Sequence, residues 1–367
     1  MKATVLFIDD DPFMLKALER IARMLRPDWQ VLTCDEPKVW QAACVDVQPD
    51  IVFCDFLMPG CKGDKVLAEC RTMYPNCLRV LLTGDLSEEI ISDASHDAHF
   101  VLSKPFQNAD IDSVFVALSR LLSFNLPDAL RAQLTSGLRL PGLPLIARKV
   151  RAKIRQPEVN IHEIAVVISQ DTVISARLVQ LANSAFLGFK HRTHSLAVCL
   201  MRLGTSLVEV IVTAMALESH LPEHAHYRAA NEKAFQQATI SQVLSEAQGL
   251  CHDEQEKIFT AAILSGLGRL AALALKDQHV QLPDLLSGIK TEALLSWYLL
   301  TSWGYEEDII QLILDSTNDN YLQQDESALI LALSGYLVDG ISDEYFRNLI
   351  AKLPDNALKK TLKEWPN

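Results

Sequence analysis

From Val5 to about residue 123, short apolar runs alternate with stretches in which apolar residues recur every three or four positions. Val5–Ile8, Val31–Cys34, Ile51–Cys54, Val80–Thr83 and Phe100–Leu102 are nearly continuous in apolar residues, the pattern of parallel strands covered on both faces. Helical periodicity between and after them predicts helices over 12–25, 37–48, 64–74, 87–95 and 108–123. Asp11 before Pro12 reads as an N-cap and first-turn pair, and Asn108 with Asp110 opens the last helix. Five β-α units in this order predict a doubly wound α/β sheet, whose binding site lies beyond the carboxyl ends of its strands.

Past residue 123 the pattern changes. Residues 124–140 form a connector, and Asn125, Pro127, Gly137, Pro141, Gly142 and Pro144 punctuate the passage. Beyond it there is no strand alternation of any length. Helical spacing dominates over 161–169, 174–186, 195–203, 205–220, 231–249, 254–276, 292–302, 306–315, 326–339 and 343–352. The expected division is therefore 1–123, an α/β domain; 124–140, a connector; 141–353, an all-α domain packed helix on helix; and 354–367, a tail in which Asp355 opens a short helix.

The chemistry of the first domain gathers where its apolar runs end in charge. Asp9 and Asp10 follow the first strand, Asp55 the third, Thr83 ends the fourth and Lys104 follows the fifth. All fall at one sheet edge. Clustered carboxylates suit Mg²⁺, a hard cation with oxygen ligands, and an ionised aspartate can attack phosphorus. A lysine ammonium can neutralise a transferring phosphoryl group, and a threonine hydroxyl can bond its oxygens. With Ser103-Lys104-Pro105-Phe106 and Phe53-Cys54-Asp55-Phe56-Leu57-Met58-Pro59-Gly60 the segment resembles the receiver domain of two-component response regulators, a flavodoxin-like (βα)5 fold. The resemblance implies that Asp55 is the phosphoacceptor, and that Asp9, Asp10, Asp55 and the Leu57 backbone carbonyl hold Mg²⁺. It further implies that Thr83 and Lys104 stabilise the phosphoryl group, and that the bond before Pro105 is cis. Two positions depart from the pattern. Val101 stands where an aromatic switch residue is usual, with Phe100 beside it. Leu57 is apolar where many receivers are polar, which predicts a slowly hydrolysed phosphoryl state.

The second domain carries other words: Leu140-Pro141-Gly142-Leu143-Pro144, Gln170-Asp171, Ile174 through Phe186 with Leu181-Ala182-Asn183-Ser184-Ala185-Phe186, Ser195-Leu196 and Leu203-Gly204. Together these resemble the HDOD domain, a relative of the HD and HD-GYP phosphohydrolases. Catalysis in those relatives needs metal-held His and Asp residues. Here Ser265 and Gly266 occupy the positions of the His-Asp pair, Ala238 that of an upstream histidine, and Asp315-Ser316 that of a later pair. A serine does not replace an imidazole and carboxylate at a metal, so no catalytic residue and no cofactor are expected in this domain. The histidine pairs His191/His194 and His220/His224 lack carboxylate or cysteine partners, and His224 with His226 reads as a loop.

Net charge of −12 argues against broad binding to nucleic acid or to an anionic membrane. The local basic stretch Arg148, Lys149, Arg151, Lys153 and Arg155 reads as a solvated helix face. Eight scattered cysteines without a Cys-x-x-Cys pair read as free, mostly buried thiols. No uninterrupted apolar run approaches membrane-spanning length, and the N-terminus enters a strand directly, so a cytoplasmic protein is expected. Three functions compete: a response regulator whose HDOD domain binds another protein, a metal-dependent cyclic-dinucleotide or nucleotide phosphohydrolase, and a DNA-binding transcription regulator. The missing ligands weaken the second. The stretch Thr205–His220, without Lys or Arg, is a poor recognition helix and weakens the third. The first is the expectation. It implies a sensor histidine kinase or phosphotransfer protein upstream and a protein downstream, with a cyclic-di-GMP phosphodiesterase or cyclase as the candidate by analogy. A homodimer through either domain is left open.

Overall fold

The five apolar runs of the N-terminal third become five parallel strands: β1 (Thr4–Ile8), β2 (Gln30–Cys34), β3 (Ile51–Asp55), β6 (Leu78–Thr83) and β7 (Phe100–Ser103), in the order β2-β1-β3-β6-β7. The computed structural model describes residues 2–84, 97–123, 144–156, 158–183, 192–219, 221, 225–280, 285–286, 289–317, 325–340, 350–351, 353 and 357–364. The expected helix 87–95, most of 343–352, the connector 124–140 and Asp355 lie outside them. The chain divides into two units, Met1–Leu145 with Leu300–Gly304, and Ile146–Leu299 with Tyr305–Asn367.

In the first unit, every residue of β1, β3 and β6 is buried, as continuous apolar runs require when both faces of a sheet are covered. The two-residue period sends Phe7 and Phe53 into an aromatic layer, with ring centroids 5.1 Å apart. Phe115 of helix α3 (Asn108–Ser123) meets Phe53 edge-on. Leu6, Ile8, Val52, Cys54 and Leu81 join Trp40, Val66, Leu67 and Cys70 in a second cluster. Asp11 caps helix α1 (Pro12–Leu25), its side chain accepting from Phe13 N–H at 2.8 Å. At the start of α3 it is Asp110 that accepts, from Gln107 N–H at 2.7 Å.

Two local departures from the sequence reading have clear causes. The stretch expected as a helix over 37–48 is a 3₁₀ segment, Pro37–Cys44, with Val39 in a non-helical conformation. The break lets Pro37, Trp40 and Cys44 all be buried while Val39 stays exposed. Trp40 is then held by its indole N–H on Glu69 Oε2 at 3.1 Å. Beyond Asp55 the chain folds a small antiparallel hairpin, β4 (Leu57–Met58) and β5 (Cys61–Lys62), turning at Gly60 with φ +73°. The hairpin leads into helix α2 (Gly63–Met73).

The second unit is almost wholly helical: α4 (Leu145–Ile154), α5 (Ile161–Ser169), α6 (Thr172–Ala182), α7 (Leu196–Leu203), α8 (Thr205–Ser219), α9 (Ala225–Gln248), α10 (His252–Asp277), α11 (Thr291–Ser302), α12 (Glu307–Asp315), α13 (Glu326–Asp339) and α14 (Ala357–Lys363). One short hairpin, β8 (Leu285–Leu286) with β9 (Ile289–Lys290), interrupts the helices where none was expected. Helices α9 and α10 lie along one another, and α13 packs on α9. Ile258–Leu275 of α10, broken only by Arg269 among charged residues, is long and apolar enough to cross a bilayer, which the sequence reading overlooked. Its best window has mean hydropathy 1.8 and is 78% buried inside the structure, the behaviour of a core helix.

Two further expectations are corrected. The basic stretch is not a solvated face: Arg151 is buried, ion-paired with Glu209 and stacked over the Tyr305 ring at 4.5 Å. Burying a guanidinium demands such a partner. His226 is in the first turn of α9 rather than a loop, 3.0 Å from Asp277. His194 is exposed, and His191, His220 and His224 fall outside the described residues. Asn183 caps α6, donating to Val179 O at 2.9 Å and Thr193 O at 2.7 Å while accepting from Thr193 N–H.

Gly63 governs how closely the hairpin follows β3. A Cβ placed there would stand 2.1 Å from the Asp55 carbonyl oxygen, against backbone that cannot yield. Gly63→Ala is therefore expected to destabilise the N-terminal unit by at least ~2 kcal/mol, read as a lowered midpoint in urea unfolding.

Candidate functional site

Parallel pairing delivers the candidate residues to one edge. Asp55 ends β3 opposite Leu82 of β6, and Thr83 ends β6 opposite Ser103 of β7, one residue before Lys104. Asp9 and Asp10 leave β1, which pairs with β3 on the other side. Carboxylate oxygens of Asp9, Asp10 and Asp55 all lie within 4.8 Å of one another. Among the described residues this is the one such group of potential metal ligands. Asp9 and Asp55 are buried and Asp10 is exposed, so the cluster opens to solvent on one side.

Lys104 enters the cluster as its one cation among the described residues. Its Nζ lies 2.7 Å from Asp55 Oδ1 and 2.9 Å from Asp9 Oδ2. The peptide bond to Pro105 is cis. Asp9 is held further by Asp11 N–H on Oδ1 at 2.9 Å, and Asp55 by Leu57 N–H on Oδ2 at 3.1 Å. The Leu57 side chain is 63% exposed beside the cluster, so it is available to meet whatever approaches Asp55. Thr83 is buried.

Charge in this site is unbalanced. Three carboxylates face one ammonium, and the excess negative charge is what a hard divalent cation neutralises. The residues present therefore fit Mg²⁺. Burial raises the Asp55 carboxyl above the ordinary aspartate value; Lys104 opposes the rise and Asp9 adds to it. Burial alone would lower the Lys104 ammonium, but its bonds to Asp55 and Asp9 outweigh that and hold it above the usual lysine value. Lys104 is thus the firmly charged member of the pair. Cys54, fully buried, has its thiol pushed up by burial and by Asp55, and donates to the Asp55 carbonyl at 3.3 Å. It is a packed thiol.

Val101 and Phe100 occupy β7 as half-buried residues, and Val101 packs against the cluster that contains Leu81 and Ala98. Sequence reasoning missed two features. One is the double engagement of Lys104, which was assigned only to phosphate. The other is Gly63, whose signal is a second glycine three residues past Gly60 at the end of a tight turn.

In the helical unit, the positions compared with a metal site are occupied by packing. Ala238 is fully buried. A Cβ at Gly266 would meet Ala234 Cβ at 2.5 Å, so glycine there permits the close approach of α9 and α10. Ser265 and Ser316 turn their hydroxyls back onto Ala262 O and Ile313 O, each at 2.8 Å. Helix α8, weighed above as a recognition helix, is largely buried, with Glu209 engaged by Arg151.

Residues 5–115 match the family of response regulator receiver domains, and residues 140–318 match the HDOD domain family. The hydrogenase transcriptional regulatory protein HoxA of Cupriavidus necator is 30% identical over 92 residues, 25% of this chain and 18% of that protein. The chain thus spans under a fifth of that relative's length. Solved structures similar to part of the chain include two receiver domains. One is the BeF3-activated DrrB receiver domain, at 19% identity and TM-score 0.29, covering 34% of this chain and 100% of that one. The other is the signal receiver domain of an HD domain-containing protein from Pseudomonas fluorescens Pf-5, at 23% identity and TM-score 0.30, covering 33% and 87%.

The raised Asp55 carboxyl fixes a sign. Its folded value lies above the unfolded one, near 3.9, so ionised Asp55 costs stability at neutral pH, and that cost fades as pH falls through the folded value toward the unfolded one. Asp55→Asn is expected to raise the metal-free melting temperature at pH 7, with a gain that shrinks in acid. Mg²⁺ at about 100 times its Kd should stabilise the wild type by about 2.7 kcal/mol and Asp55→Asn by less. Thermal melts with EDTA and with Mg²⁺ measure both.

Proposed function

We propose that this chain, a response regulator of a two-component system that joins a receiver domain to an HDOD domain, is a switch set by phosphorylation of Asp55 and read by another protein through its helical half. The observation that carries this reading is Lys104 Nζ within 2.9 Å of both Asp9 and Asp55 at the sheet edge. A lysine so placed can follow charge from the carboxylate to a phosphoryl group on it.

Asp9, Asp10, Asp55 and the Leu57 carbonyl would hold Mg²⁺, which when bound supplies positive charge to phosphoryl oxygens. The Asp55 carboxylate attacks phosphorus. A bond forms from its oxygen to phosphorus while the bond from phosphorus to the donor nitrogen of a phosphohistidine breaks, and the electron pair leaves with that nitrogen. Lys104 then pairs with the phosphoryl oxygens, and the Thr83 hydroxyl donates to one of them. The donor is a sensor histidine kinase or a phosphotransfer protein.

The new charge and bonds bias one state of the protein by their differential interaction energy, typically ~1–3 kcal/mol. The helical half is read as a non-catalytic binding surface, because serine, glycine and alanine stand at its compared ligand positions, where they pack or bond backbone. A cyclic-di-GMP phosphodiesterase or cyclase is the proposed partner class, by analogy with catalytic relatives. The buried α10 window supports a soluble protein acting in the cytoplasm, and the buried α8 speaks against DNA reading by that helix.

Beryllofluoride, which mimics the phosphoryl group, is expected to change the scattering radius or the set of captured proteins in wild type and not in Asp55→Asn; identical behaviour of the two removes the switch. Leu57 shields the acyl phosphate from water, so Leu57→Asn should speed its loss several-fold, measured by decay of ³²P label in purified protein.

A further inference from the structure

The helical unit contains a cleft that is open to solvent and bordered by α9, α10, β9, α11, α12 and α13. Arg269 of α10 enters its wall in a fixed pose. Its Nη2 donates to Gln237 Oε1, and Gln237 is itself tied by Nε2 to Leu331 O at 3.1 Å. Nε lies 3.8 Å from Glu292 Oε2, too far for a good hydrogen bond. The remaining Nη1 is buried and has no hydrogen-bond partner among the described residues. Arg269 thus lines the cleft with its charge answered only in part by neighbouring groups, and an oxyanion brought by a ligand would complete it.

A second cation borders the same cleft. Lys290 of β9 lies over the Tyr336 ring at 5.0 Å and makes no ion pair among the described residues. Of the two carboxylates in the lining, Asp339 is already paired with Lys233 at 3.1 Å, and Glu292 is the loose partner of Arg269. The hydroxyls of Ser265, Ser316 and Thr317 donate to their own helices and keep lone pairs to accept with. Arg269 and Lys290 can therefore take an oxyanion, while the hydroxyls and Glu292 accept from N–H groups.

We propose that this cleft is a metal-free binding site for a small metabolite with an oxyanion head, a phosphate monoester or a carboxylate, held by Arg269 and Lys290. The site lies wholly in the helical unit and does not depend on the role of Asp55.

Isothermal titration of the full chain in EDTA, with adenosine 5′-monophosphate, L-glutamate and inorganic phosphate as separate probes, tests it. At least one probe is expected to bind, and which one does distinguishes phosphate monoester from carboxylate or free phosphate. Lys290→Gln and Arg269→Gln should each weaken that binding about tenfold or more, the factor that ~1.4 kcal/mol represents. Lys290 is exposed, so its substitution leaves the fold intact and decides the matter if Arg269→Gln unfolds. No binding of any probe at millimolar concentration, binding unchanged in Lys290→Gln, or binding only with a divalent metal present would overturn the proposal.

Discussion

Three aspartates share one sheet edge with a single lysine ammonium, and that imbalance organises the N-terminal half. Lys104 is drawn between Asp55 and Asp9 and answers both. Even so, the Asp55 carboxyl stays above its ordinary value. Like charges held close in a partly buried site store free energy that a cation or a phosphoryl group can release. The parallel order of the strands is what creates the crowding, since it sends the ends of β1, β3, β6 and β7 to the same edge. Gly63 supports it by letting the hairpin beyond Asp55 close against the strand.

How much of this could be read from residues alone follows from the physics of each element. The strands were legible because buried parallel strands are apolar on both faces, and their ends could be placed to within a residue or two. The site was legible for the same reason: an apolar run that ends in Asp, Thr or Lys marks its own sheet edge. What stayed hidden depended on tertiary contact. Pro37–Cys44 has helical spacing, and only the burial of Trp40 and its bond to Glu69 show why a 3₁₀ segment forms. Arg151 looks like a surface residue until Glu209 and Tyr305, distant in sequence, are brought to it. The core helix α10 was legible over 254–276 from its spacing, but that its apolar stretch reaches membrane-spanning length was hidden by Arg269, whose partners Gln237 and Glu292 are distant in sequence.

The helical half shows how a fold can keep a shape while its polar residues take new tasks. Gly266 and Ala238 serve the packing of α9 and α10. Ser265 and Ser316 satisfy their own helices. Arg269 lines the cleft between these helices, held there by Gln237.

The most direct test of the central claim is chemical. The purified chain is incubated with acetyl phosphate and Mg²⁺, the acyl phosphate is reduced with borohydride, and the modified residue is located by tandem mass spectrometry. The account predicts conversion of Asp55 alone, abolished when Mg²⁺ is chelated. Absence of label, or label on another residue in the folded protein, would contradict it.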